Sequence, residues 1–155
     1  MQTIDIHMSV RGAVDDALAR GSGVAGLGGV GLIHTLQVPD AFLEIGYLGA
    51  LFIAVATACV VLAAALTRTS DDRLWIAVGA LPALILVGYL LSRSVGLPGF
   101  TSDKGEWADP PALAAMLLEC TLIVLSASVL ASRRVATAAT DTQRAPVATI
   151  IQNPA

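Results

Sequence analysis

Three long stretches of this chain are apolar all round rather than on one face. Between Ala41 and Thr67 the only charge is Glu44, between Leu74 and Leu97 it is Arg93, and between Pro111 and Ser132 it is Glu119. A soluble helix of such length shows a polar face at helical spacing. About 20 apolar residues are enough to cross a hydrocarbon core of about 30 Å. The pattern therefore predicts three membrane-spanning helices. A fourth uncharged run, Gly21–Val38, is shorter and glycine-rich, and it gives way to Pro39 and Asp40. It could be a first spanning helix, a re-entrant piece or an uncleaved signal anchor. A cleaved signal peptide fits less well, because the apolar region begins late and no small-x-small site ends it.

Basic residues arbitrate. If Gly21–Val38 spans, the N-terminus, the loop Thr67–Arg73 and the C-terminal tail share one side. That side then holds Arg11, Arg20, Arg68, Arg73, Arg133, Arg134 and Arg144, and the other holds only Arg93 and Lys104. Cytoplasmic loops carry the excess of Lys and Arg, so the split predicts an all-α, four-helix transmembrane bundle with both termini cytoplasmic. The expected spans are about Gly21–Leu36, Asp40–Leu66, Leu74–Val95 and Pro110–Ser132, multi-pass in the cell membrane. Asp40 after Pro39 suits an N-cap of the second span, and Pro111 suits the first turn of the fourth. Pro82 should kink the third. Residues 1–20 form a cytoplasmic segment, either a short surface helix over Val10–Ala19 or disordered. Residues 133–155 are expected as a disordered cytoplasmic tail. Trp75 and Trp107 fall near opposite interfaces, where aromatic rings are favoured.

Composition agrees. The chain is 55% hydrophobic and 14% charged, where a soluble domain carries about a quarter charged residues. The net charge of −3 offers no basic surface for nucleic acid. Cys59 and Cys120 lie in apolar stretches at different expected depths, which reads as two small buried hydrophobes rather than a disulfide. No Cys/His spacing motif suggests zinc or redox chemistry, and no bound cofactor is expected.

Gly26-Leu27-Gly28-Gly29-Val30-Gly31 matches a dinucleotide-binding fingerprint, but such a fingerprint follows a strand and opens a helix. Here it sits inside an apolar run. Small residues four apart, Ser22 with Gly26 and Ala25 with Gly29, fit close helix packing in lipid instead. Besides the bilayer itself, that face could receive another membrane subunit.

Ionisable residues inside spans are costly and face a bundle interior or a water-filled cavity. His34, Glu44, Arg93 and Glu119 all fall in the predicted outer half. Asp40, Glu44 and Tyr47 share a face at helical spacing, as do Tyr89 and Arg93. These seven residues form either a structural ion-pair clamp, with Arg93 on Glu119 or Glu44, or an outward-facing polar pocket. No H-x-x-x-H spacing supports a metal, and His34 alone is a thin basis for haem.

Two strings carry a resemblance: Ile33-His34-Thr35-Leu36-Gln37-Val38-Pro39-Asp40-Ala41-Phe42-Leu43-Glu44, and Tyr89-Leu90-Leu91-Ser92-Arg93-Ser94-Val95-Gly96-Leu97-Pro98-Gly99. They resemble a group of small four-helix bacterial integral membrane proteins, uncharacterised and frequent in actinobacteria. The group shares a His near the end of a first helix, Pro-acidic-x-Phe-x-Glu, Tyr-x-x-Ser-Arg-Thr-x-Gly-x-Pro and a Glu in the last helix. Ser94 stands where the group has Thr, and the outer loop after the Pro is short and altered. The resemblance covers about Gly21–Ser132 and implies the four-helix topology and the same polar residues, without a substrate.

No catalytic constellation is visible, so an enzyme acting on a soluble substrate is not expected. The leading expectation is a structural or accessory subunit of a membrane complex. The alternatives are a small-solute or ion-binding protein using the outer pocket, and a cofactor-binding redox protein.

Overall fold

The computed structural model describes the backbone of residues 2–151 and the side chains of residues 11–139. It contains four helices, α1 (Gln2–Glu44), α2 (Gly46–Arg68), α3 (Asp72–Ser94) and α4 (Pro110–Ile151). No strand occurs among the described residues. α2, α3 and the Pro110–Ala139 part of α4 are long and apolar enough to cross a membrane.

Two boundaries differ from the expected ones. α1 is a single helix through Val10–Ala19, Gly21–Val38 and Pro39, and it ends only at Glu44. Asp40 is therefore no N-cap. The break falls at Ile45, whose backbone is extended (φ −160°, ψ 128°). Pro39 removes one donor and crowds one carbonyl, yet the remaining helical bonds continue past it. The corner is built one turn later. The Phe42 ring lies against Gly49, where an added Cβ would collide with it. The missing Cβ lets α1 fold back against α2 across a one-residue joint. Asp40, Glu44 and Tyr47 consequently do not share a face of one helix. At the other terminus α4 runs on past Ser132, where a disordered tail is expected. The stretch Val135–Ala139 is rich in alanine and free of proline, which favours helix. The side chains of 140–155 lie outside the described residues.

α1 is the hinge of the packing. It lies against α2 along much of its length and also against α4, and α4 packs on α3. Four of its glycines, Gly23, Gly26, Gly29 and Gly31, face these neighbours. A Cβ on Gly26 would lie 2.8 Å from Leu122, one on Gly29 2.7 Å from Leu118, and one on Gly31 3.1 Å from Cys59. Gly26 and Gly29 of the expected small-residue face are thus covered by α4, while Ser22 and Ala25 remain exposed. The core comprises Leu27, Val30, Cys59, Leu66, Trp75, Val78 and Leu122. Trp75 is fully buried and belongs to this core, near the start of α3. Cys120 is exposed and Cys59 buried, and both are free thiols. α3 continues unbroken through Pro82.

Each end of the bundle has its own polar lock. At one end Arg133 of α4 reaches Asp72 at 2.9 Å and Asp16 of α1 at 3.2 Å. It also donates to Ser70 Oγ at 2.7 Å and to the Ser70 carbonyl. Trp75 Nε1 donates to the same Ser70 Oγ at 3.0 Å. At the other end the loop 95–109 closes over the helices. Gly96 ends α3 with φ +85°, a conformation glycine adopts without strain. Phe100 is buried against Ala41 and Leu48.

Candidate functional site

Between the loop and the middle of the bundle lies a cavity of about 470 Å³. Six of the seven expected polar residues line it: His34, Asp40 and Glu44 from α1, Tyr89 and Arg93 from α3, and Glu119 from α4. Tyr47 does not. Its hydroxyl donates to the Pro98 carbonyl at 2.9 Å and pins the loop instead. Tyr89 pins the other side by donating to the Trp107 carbonyl at 3.2 Å.

The expected clamp is not formed. Arg93 pairs with Asp103 at 2.8 Å and with Asp109 at 3.9 Å, not with Glu119 or Glu44. It also donates to the Asp103 carbonyl at 3.3 Å, and its guanidinium carbon lies 5.4 Å from the Tyr89 ring centroid. The reason is position. Arg93 lies in the last turn of α3, and its long side chain extends toward the loop carboxylates rather than back into the bundle. Asp109 also accepts from Ala112 N–H at 3.1 Å, so it starts α4 while facing the guanidinium. Sequence reasoning missed both acids. The available signal was the pairing of an always-charged Arg with Asp109 directly before Pro110-Pro111, an N-cap signature.

Glu119 is left alone. Only 2% of it is exposed, and its Oε1 has no hydrogen-bond partner. None of the ion pairs among the described residues uses Glu119, Asp40 or Glu44. His34 Nδ1–H donates to the Val30 carbonyl at 2.9 Å, so Nε2 is the ring nitrogen not used in that bond. Its ring stands edge-on to Phe52, with centroids 5.1 Å apart. At the mouth, partial burial and then the nearby carboxylates of Asp103 and Asp40 push the Glu44 carboxyl above its ordinary range, offset in part by Arg93.

Six carboxylates border the cavity (Asp40, Glu44, Asp103, Glu106, Asp109 and Glu119) against the one Arg93. Arg93 is already engaged by two of them. The remaining wall is mostly apolar, with Leu48, Phe52, Val55, Leu81 and Ile85, and its uncharged polar residues are His34, Gln37, Tyr89 and Ser92. Among the described residues no three His, Cys, Asp or Glu side chains converge as a metal-binding set. The arrangement suits a ligand with one cationic group and an apolar body.

Fold and cavity together define an all-helical bundle, with three helices able to cross a membrane and an acid-bordered chamber near one end. No protein-family model, curated protein or solved structure matches the chain.

Proposed function

We propose that this is a multi-pass membrane protein with both termini cytoplasmic, and that its outward-facing cavity binds a small organic cation. The observation that carries the reading is Glu119, a buried carboxyl with an unpartnered oxygen facing a cavity whose other charges are mostly acidic. A buried carboxylate without a partner is costly. A bound ammonium would supply both the missing charge and the missing donors. On this reading α1 is the fourth span. Its stretch between Arg20 and Asp40 holds no Asp, Glu, Lys or Arg, and its 19 residues at about 1.5 Å rise per residue cover roughly the thickness of a hydrocarbon core. Gly26 and Gly29 of the small-residue face pack against α4, while Ser22, Ala25 and Gly28 stay exposed.

Isothermal titration of the purified protein with n-propylammonium tests the reading. Saturable binding is expected, lost in Glu119→Gln and absent for propionate. Equal heats from the wild type and Glu119→Gln, with both proteins folded by circular dichroism, would reject it.

A further inference from the structure

We propose that the cavity loads from its side, through the cleft between α2 and α3, and that its ligand is a single-chain alkylammonium amphiphile drawn from the lipid phase. The ammonium head meets Glu119, and the chain lies between the two helices. This rests on the cation-binding reading and adds the ligand's other half and its route.

The helices do not form a closed ring. α2 packs on α1, α1 on α4 and α4 on α3, while α2 and α3 scarcely touch. They are joined through Thr69–Asp71 at the Arg133 end, and the cavity opens where they part. Leu51 of α2 and Leu84 of α3 both line the cavity, yet they are 52% and 70% exposed. Side chains that face the chamber and the surroundings at once border an opening. Gly88 lines the same cavity, and a Cβ there would meet nothing within 4 Å.

The two routes differ in chemistry. The polar end is only partly covered by the loop, with Phe100 buried and Tyr47 and Tyr89 holding both flanks, and its rim carries the exposed acids Asp40, Glu44 and Glu106. The side is flanked by Leu51, Val55, Leu81, Leu84 and Ile85, with no charge to repel an alkyl chain. The depth also fits. Gly79 of α3 sits opposite Ser126 of α4. These helices are antiparallel, since Arg93 meets Asp109 at one end and Asp72 meets Arg133 at the other. Moving seven positions from Ser126 back to Glu119 therefore moves seven positions forward from Gly79, to Leu86. Leu84 and Gly88 flank that level, so Glu119 lies at the depth of the side opening.

The test uses the full chain in lipid nanodiscs and a Leu84→Trp variant, at a position exposed enough to accept the ring. The probe is dodecylammonium brominated at mid-chain, whose bromine quenches a tryptophan on contact. Saturable quenching beyond that of the protein carrying only Trp75 and Trp107 is expected, reversed by excess unbrominated dodecylammonium and at least tenfold weaker when Glu119→Gln is added. Quenching that rises linearly with amphiphile and ignores Glu119→Gln would mean partition into lipid only, and would overturn lateral loading. If n-propylammonium still binds those nanodiscs in a Glu119-dependent way, the cavity reading survives and the lateral route alone fails. If neither amine depends on Glu119, both fall. Two copies per nanodisc with no saturable quenching would show that a second copy fills the cleft, which also overturns the proposal.

Discussion

Arg93 Nη1 lies 2.8 Å from Asp103 Oδ2, so the guanidinium ties α3 to the loop over the cavity and leaves the carboxyl of Glu119 without a cation. The pair is well shielded, with side-chain exposures of 10% and 29%. Charge-assisted bonds of this kind are worth about 1.5–3 kcal/mol each. Arg93→Ala and Asp103→Asn should each destabilise the detergent-solubilised protein by about 2 kcal/mol, and the double variant should lose much less than the sum. Arg93→Ala combined with Glu119→Ala should instead be additive. Chemical unfolding of the three single variants, the two double variants and the wild type checks both statements.

The opposite end depends on Arg133. It reaches Asp16, Asp72 and Ser70, and so joins α1, the α2–α3 connection and α4. Arg133→Ala should cost about 2–3 kcal/mol through lost charged bonds. Arg133→Lys should recover little of it, because an ammonium cannot reproduce the planar fork. Thermal melts of the two variants decide the matter. A lysine variant as stable as the wild type would contradict the fork geometry.

Glycines along α1 should divide sharply. Gly26→Val and Gly29→Val push into Leu122 and Leu118, and overpacking of this kind costs about 1–3 kcal/mol. Gly28, three positions from the buried Gly31, has nothing within 4 Å of an added Cβ. Gly28→Ala should be neutral or stabilising by about 0.5–1 kcal/mol, from the higher helix propensity of alanine. Melting temperatures of the three variants test the packing directly.

Topology is checked with single cysteines in a Cys59→Ala, Cys120→Ala background. Ser102→Cys, exposed in the loop, should react with an impermeant thiol reagent on whole cells. Thr69→Cys, exposed at the other end, should react only after lysis. The reverse labelling pattern would invert the bundle, and labelling of both on whole cells would place residues 69 and 102 on one side.

Helix content, the apolar stretches and most of the cavity's polar residues were legible in the sequence, because each follows from local facts. An ionisable residue in an apolar run must find an interior or a cavity, whatever surrounds it. So His34, Glu44, Tyr89, Arg93 and Glu119 could be expected at one end of a bundle from their positions alone. Tertiary structure decided who meets whom. The α1–α2 corner follows neither Pro39 nor Asp40 but the seating of Phe42 on Gly49, a contact between two helices that no local propensity encodes. Arg93 turned to Asp103 and Asp109 because the loop folds back over the helix end, while Glu119 points into a space that exists only where α2 and α3 part. Pairing of charges depends on distances between elements, and those are set by how four helices pack, not by the order of residues within any one of them.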